Sequence, residues 1–166
     1  MNTLDLIKAL DSNLWHPHQA NVIPVDKLNQ LKIETYPFVV ILNLDTSNQP
    51  GSHWTAIYSE DCPSKSCPAD YFCSFATEIP VAVKKNFNEC FGCDGVVKAT
   101  VLPYQDPYSV SCGLWCLDFI LNRSWGVTTE HYLSQFDAID THLNERILHS
   151  RWEGDIKNLR FKMRLI

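Results

Sequence analysis

Two apolar stretches of different character organise the chain. Phe38-Val-Val-Ile-Leu-Asn-Leu44 is strongly apolar and β-branched and predicts a central strand. Cys112-Gly-Leu-Trp-Cys-Leu-Asp-Phe-Ile-Leu121 is apolar almost all round at helical periodicity and predicts a buried helix. His53-Trp-Thr-Ala-Ile-Tyr58 reads as a second strand with the histidine at its start, reached through a turn over Asp45–Ser52 that contains Pro50-Gly51. Tyr71–Phe75 and Val96–Leu102 are further strand candidates, and the Pro-, Gly- and Cys-marked segment between them is expected to be irregular. Thr3–Leu10 predicts a short helix with Leu4, Ile7 and Leu10 on one face and Asn2 or Thr3 as cap, and Trp15–Pro24 reads as a loop. Thr128–Phe136 and Ala138–Trp152 predict two more helices, the second with Ile139, Leu143 and Ile147 on its apolar face. At the end, Leu159, Phe161, Met163 and Leu165 alternate with Arg160, Lys162 and Arg164, a strand pattern with one basic face. The expected fold is α+β: one domain over 1–166, a central mixed sheet packed on a buried helix, with 151–166 as a basic tail or edge strand.

Composition narrows the function classes. With 45% hydrophobic and 20% charged residues the chain is ordinary globular material rather than disordered. No apolar run approaches the roughly 20 residues of a membrane span, and the first residues lack the basic-then-apolar pattern of a signal peptide. An intracellular protein with no membrane partner, most simply a monomer, is therefore expected. A formal charge of −5 argues against the whole domain binding nucleic acid. The charge is uneven, however: Arg151, Lys157, Arg160, Lys162 and Arg164 crowd the last stretch against Glu153 and Asp155. That stretch is either the solvated face of an edge strand or a surface for DNA or another polyanion. Seven cysteines leave at least one without an intramolecular partner. Cys62 and Cys67 with Cys90 and Cys93 have a spacing that zinc or disulfides would tolerate, but no knuckle or histidine-rich signature accompanies them.

Chemistry concentrates in Gln105-Asp-Pro-Tyr-Ser-Val-Ser-Cys112-Gly113. A cysteine in the first turn of a buried helix, after Ser111 as a plausible cap, has its thiolate favoured by the helix N-terminus. The thiolate is the nucleophile, so this location suits covalent catalysis. The plain alternative is that Cys112 is one small buried residue among several. Such a nucleophile also needs a base and an oxyanion donor. His53, at the mouth of a strand beside Trp54, is the best-placed of the six histidines. His16 and His18 sit in a loop, and His131, His142 and His149 lie on predicted helix surfaces. Gln105 supplies a side-chain amide, although in isolation it would be an ordinary loop residue.

Pro50-Gly-Ser-His53-Trp54-Thr-Ala-Ile-Tyr58, then Tyr71-Phe-Cys-Ser-Phe75, then Gln105 followed after six residues by Cys112-Gly113, resembles the adenain-like proteases. These include the adenovirus protease and its relatives in Polinton- and adintovirus-like elements and adomaviruses, and the SUMO-specific proteases share the core arrangement. The resemblance runs from about residue 20 to about residue 136 and also takes in Val22–Leu28 and Phe38–Asp45. It implies that Cys112 attacks the scissile carbonyl, that His53 takes and returns the proton, and that Gln105 with the Cys112 backbone N–H binds the oxyanion. It further implies that Trp54 walls a narrow slot that favours glycine, and that Gly113 lets the substrate backbone pass close by. A viral maturation protease cutting capsid or core precursors at Gly-containing sites follows, located in the host nucleus or virion. No cofactor would be required, and activation by DNA or a peptide is conceivable.

The sequence departs from that family at Cys73, where an acid normally orients the histidine. Three alternatives stand: Asp70 supplies the carboxylate, water or a backbone carbonyl orients His53, or the enzyme is weakened or dead. Two rival functions stand beside the first. One is a deubiquitinase or SUMO-removing enzyme of the same fold. The other is a non-enzymatic binding module built on Cys62, Cys67, Cys90 and Cys93 and the basic tail.

Overall fold

The computed structural model describes residues 1–14, 19–60, 69–91 and 95–163, with the backbone alone for 88–91 and 154–163. The elements run α1 (Thr3–Asn13), β1 (Gln19–Pro24), a 3₁₀ turn (Val25–Gln30), β2 (Phe38–Asn43), β3 (Trp54–Ser59) and β4 (Ala69–Phe72). They continue with α2 (Val81–Phe91), β5 (Val96–Lys98), α3 (Cys112–Ser124), α4 (Thr129–Leu133) and α5 (Thr141–Met163). The class is α+β, as the pattern predicts. The strands form one mixed sheet in the order β1-β2-β3-β4-β5, with β2–β3 and β3–β4 antiparallel and the two outer pairings parallel.

Side-chain alternation divides the core into two layers. From β2, Val39 and Ile41 join Ala56 and Phe72 on the face covered by α1, α3 and α5, where Leu6, Trp115, Phe119 and Leu148 are buried. Phe38, Val40 and Leu42 point the other way, onto Ile57, Tyr71 and Cys73 and onto Val83 and Phe87 of α2. Helix α3 is buried at every residue from Cys112 to Leu121, as its apolar composition requires.

Several expectations are corrected. Trp15–Pro24, expected as a loop, contributes the edge strand β1; Gln19–Pro24 lacks a clean alternation because every residue in it is only half-buried. The segment expected to be irregular holds α2, whose Val83 and Phe87 lie a turn apart and are buried. Val96–Leu102 is a strand only as far as Lys98, and Val101 and Leu102 are exposed. In α1 the cap is Asn2, in a reciprocal capping box with Asp5, and the buried face is Leu6, Ala9 and Leu10 while Leu4 is exposed. In α5 Ile139 precedes the helix and is exposed, and the buried face is Asn144, Leu148 and Trp152. Among the described residues the expected terminal strand is replaced by helix: α5 continues to Met163. Residues 151–163 contain no Pro, and extending a helix already nucleated is easier than starting a strand. Among the described residues no helix is long and apolar enough to cross a membrane.

Candidate active site

Strand register decides which residue accompanies His53. Ala56, Ile57 and Tyr58 pair with Phe72, Tyr71 and Asp70. Asp70 therefore lies opposite Tyr58, five residues beyond His53, or roughly 16 Å along an extended strand. It also shares the Phe72 face and meets α3 and α4: Asp70 Oδ2 accepts from Thr129 Oγ1 at 2.6 Å and lies 3.3 Å from Arg123 Nη2. Continuing the same register places Phe75 opposite His53, and their rings stand 5.0 Å apart. Cys73 is on that side of the strand, with its Sγ 3.2 Å from His53 Nε2. The group beside the imidazole is thus the Cys73 thiol rather than the Asp70 carboxylate.

The turn after β4 extends this contact. Ala76 N donates to Cys73 O at 2.8 Å and Ala76 adopts φ 53°, a left-handed conformation uncommon for a residue with a Cβ. The chain folds back so that Thr77 Oγ1 lies 3.1 Å from Cys73 Sγ. Nδ1 of His53 is buried without a hydrogen-bond partner. Burial holds the imidazole below its ordinary value of 6.5, so the ring is neutral at neutral pH. If Nε2 carries the proton and donates to Cys73 Sγ, the thiol can pass its own hydrogen to Thr77, and Nδ1 is left with a free lone pair. That tautomer is the one a general base requires.

Ser74, the next residue, ties this corner to Gln105. Tyr104 N and Gln105 N both donate to Ser74 O, at 2.9 and 3.1 Å, and Ser74 Oγ donates to Gln105 Oε1 at 2.6 Å. Gln105 is 1% exposed, and its Nε2 donates to Ser109 O at 3.0 Å. An amide nitrogen carries two hydrogens, so one remains to be donated elsewhere. Ser109 in turn contacts Ser111, the residue before Cys112. Hydrogen bonds thus join His53 to Cys73 and, from the next residue, Ser74 to Gln105, Ser109 and Ser111, the residue before Cys112.

Cys112 opens α3 as a buried free thiol, as are Cys73 and Cys116. Burial pushes the Cys116 thiol well up, with Cys112 and Cys73 adding to the effect, so it is not an ionisable competitor. Ser111 caps α3 with its carbonyl, which accepts from Leu114 N at 2.8 Å and Trp115 N at 3.0 Å; its hydroxyl makes no cap bond and donates instead to Glu145 Oε2 at 2.6 Å. Gly113 is buried, and a Cβ on it would stand 3.4 Å from both Trp54 Cδ1 and Met1 Cβ. Its missing side chain admits the Trp54 ring and the start of α1 against α3, so that flank is filled rather than open to a substrate. Glu145 and Asn144, which nothing in the sequence singled out, hold the Tyr104–Trp115 stretch from α5.

Cys62, Cys67 and Cys93, with the side chain of Cys90, lie outside the described residues, as do His16 and His18. Among the described residues no group of three or more His, Cys, Asp or Glu is placed to hold a metal ion.

No protein-family model matches the chain, and no curated protein matches it. Among solved structures, the chain is similar to a crystal structure of selenomethionine ASFV pS273R protease, at 22% identity and a TM-score of 0.47 over 66% of this chain. The match spans 42% of that protein's length.

Proposed function

We propose that the chain is a cysteine endopeptidase of the adenain-like type. The observation that carries this reading is the neutral, half-buried His53, with one nitrogen on Cys73 and the other unbonded, and the next residue, Ser74, hydrogen-bonded to the Gln105 amide ahead of Cys112. Cys112 Sγ attacks the scissile carbonyl while His53 accepts its proton and returns it to the leaving amine; water then hydrolyses the thioester. The remaining Nε2 hydrogen of Gln105 and the Cys112 backbone N–H receive the oxyanion. Trp54, next to His53, walls the slot as the resemblance implies and favours glycine at the cut, which suits a virus-like enzyme maturing precursor proteins.

Cleavage profiling on a peptide library, with ubiquitin and SUMO conjugates alongside, tests the reading. Gly-containing peptides should be cut, Cys112→Ala should be inactive yet folded, and iodoacetamide should label Cys112 before Cys116. Full activity in Cys112→Ala would sink the proposal, and a strict preference for conjugates would redirect it to modifier removal. Gln105→Ala should lower kcat by ~10²–10³ with little change in KM.

A further inference from the structure

The stretch from Tyr104 to Trp115 carries both Gln105 and Cys112, yet much of its outer surface is unsupported: Tyr108 and Val110 are 93% and 91% exposed. What fixes it is the first turns of α5. Glu145 Oε1 accepts from Trp115 Nε1 at 3.0 Å and from Asp106 N at 3.3 Å, while its Oε2 accepts from Ser111 Oγ at 2.6 Å. The carboxylate therefore joins the residue after Gln105, the residue before Cys112 and the first turn of α3. All three partners are donors, which a carboxylate satisfies and few other side chains can. Asn144, fully buried, adds Nδ2 bonds to Tyr104 O at 3.3 Å and Asp137 O at 2.8 Å, and accepts from Asp137 N at 2.7 Å. On the solvent side, His142 contacts Asp106, and His149 Nε2 lies 3.4 Å from Glu145 Oε2.

We propose that Glu145 is a positioning residue for the oxyanion-binding loop, setting the spacing between the Gln105 amide and Cys112 from outside the active site. This rests on the protease reading. The rate effect comes from geometry: a displacement of about 1 Å between reacting groups can cost about a hundredfold. Asn144 anchors the start of the loop at Tyr104, and Glu145 anchors its middle and end.

The test combines kinetics with hydrogen exchange on Glu145→Ala, Glu145→Gln and Trp115→Phe, the last removing one donor and leaving the carboxylate. Arg151→Gln is the control: Arg151 sits on the same helix, bonds Asp118 and Gln135, and reaches the loop only indirectly, over the Phe136 ring that packs on Trp115. Glu145→Ala should exchange the 105–111 amides about tenfold faster or more and lose about ten- to a hundredfold in kcat with KM nearly unchanged. Glu145→Gln, which keeps one accepting oxygen, should recover part of both losses, and Trp115→Phe should show a smaller loss of the same kind. Arg151→Gln should melt lower without changing kcat per folded molecule. Unchanged loop exchange or unchanged kcat in Glu145→Ala overturns the proposal, as does an Arg151→Gln variant that loses kcat equally. If Glu145→Ala fails to fold, Trp115→Phe with wild-type kcat overturns it. A wild type that cleaves nothing while its loop loosens in Glu145→Ala overturns the positioning role together with the protease reading, and its own inactivity identifies that case.

Discussion

The β3–β4 pair has two unlike ends. Where Tyr58 opposes Asp70, the groups are charged: Arg123 Nη2 reaches Glu60 Oε1 at 2.5 Å and Asp70 Oδ2 at 3.3 Å, and its guanidinium stands 5.0 Å from the Tyr58 ring centre. A cavity of about 330 Å³ opens there beside Thr128 and Glu130. Where His53 opposes Phe75, the contacts are a thiol, a hydroxyl and an aromatic ring. The carboxylate nearest in sequence to the expected acid position is thus spent on tying the sheet to α3 and α4. In the proposed mechanism the imidazole would work beside a thiol, which can orient it through a hydrogen bond but, unlike a carboxylate, would not offset the charge gained on taking a proton.

The charged end should respond to mutation in stability alone. Arg123 is 7% exposed and also donates through Nη1 to Val127 O at 2.7 Å. Arg123→Met leaves Asp70 without its cation and the Val127 carbonyl without its donor, and should destabilise the fold by about 3 kcal/mol. Asp70→Asn should be much milder, under about 1 kcal/mol. Burial, the largest influence on Asp70, already pushes its carboxyl above the usual range despite Thr129 and Arg123, and an amide oxygen can still accept from Thr129. Urea melts would measure both. A loss of kcat in Asp70→Asn would break the comparison by giving that residue a share in the chemistry.

The neutral end should respond in rate. Cys73→Asp puts a carboxylate within reach of Nε2 and should raise kcat/KM by about tenfold, the equivalent of one unit in the basicity of His53. The opposing force is desolvation, because position 73 is fully buried. Pairing with His53 and the Thr77 hydroxyl must offset it. Cys73→Ser, which keeps a small hydrogen-bonding group, should stay within a few-fold of wild type. A Cys73→Asp enzyme slower than Cys73→Ser would mean that the carboxylate turns away from the ring.

Much of this was legible in the sequence because it is carried by apolar pattern. The central strands and the all-round apolar α3 declare themselves, and the Tyr-Phe-x-Ser-Phe frame sets Cys73, rather than Asp70, in line with the family's acid. What escaped is carried by residues whose pattern runs against their position. Strand β1 is half-buried throughout and shows no alternation. The inward face of α5 begins with Asn144, so its apolar pattern seemed to sit one residue earlier, on Ile139, Leu143 and Ile147. Glu145 looks like any surface acid on a helix, and only the fold brings three donors from 39, 34 and 30 residues away onto one carboxylate.

The smallest expected effect lies in pH dependence, and it bears directly on the neutral end. Burial holds His53 below 6.5 in the folded protein. As pH falls, the unfolded chain binds that proton first, so the contribution of His53 to stability is complete above about 6.5 and declines as pH drops towards the folded value. Each unit of difference corresponds to about 1.4 kcal/mol. Subtracting the stability of a His53→Gln variant from that of the wild type, between about pH 5 and pH 8, isolates this slope from the other histidines. The difference should be level at the alkaline end and fall on acidification. In a Cys73→Asp background the carboxylate should lift the imidazole above its unfolded value, and the sign reverses: the histidine's contribution is then full below about 6.5 and is lost as pH rises through the raised value. The acid limb of kcat/KM should follow, lying below pH 6.5 in the wild type and moving upward in Cys73→Asp. A wild-type difference that stays flat with pH would mean that His53 is solvated rather than buried as a neutral base, and the contrast between the two ends of the strand pair would fail.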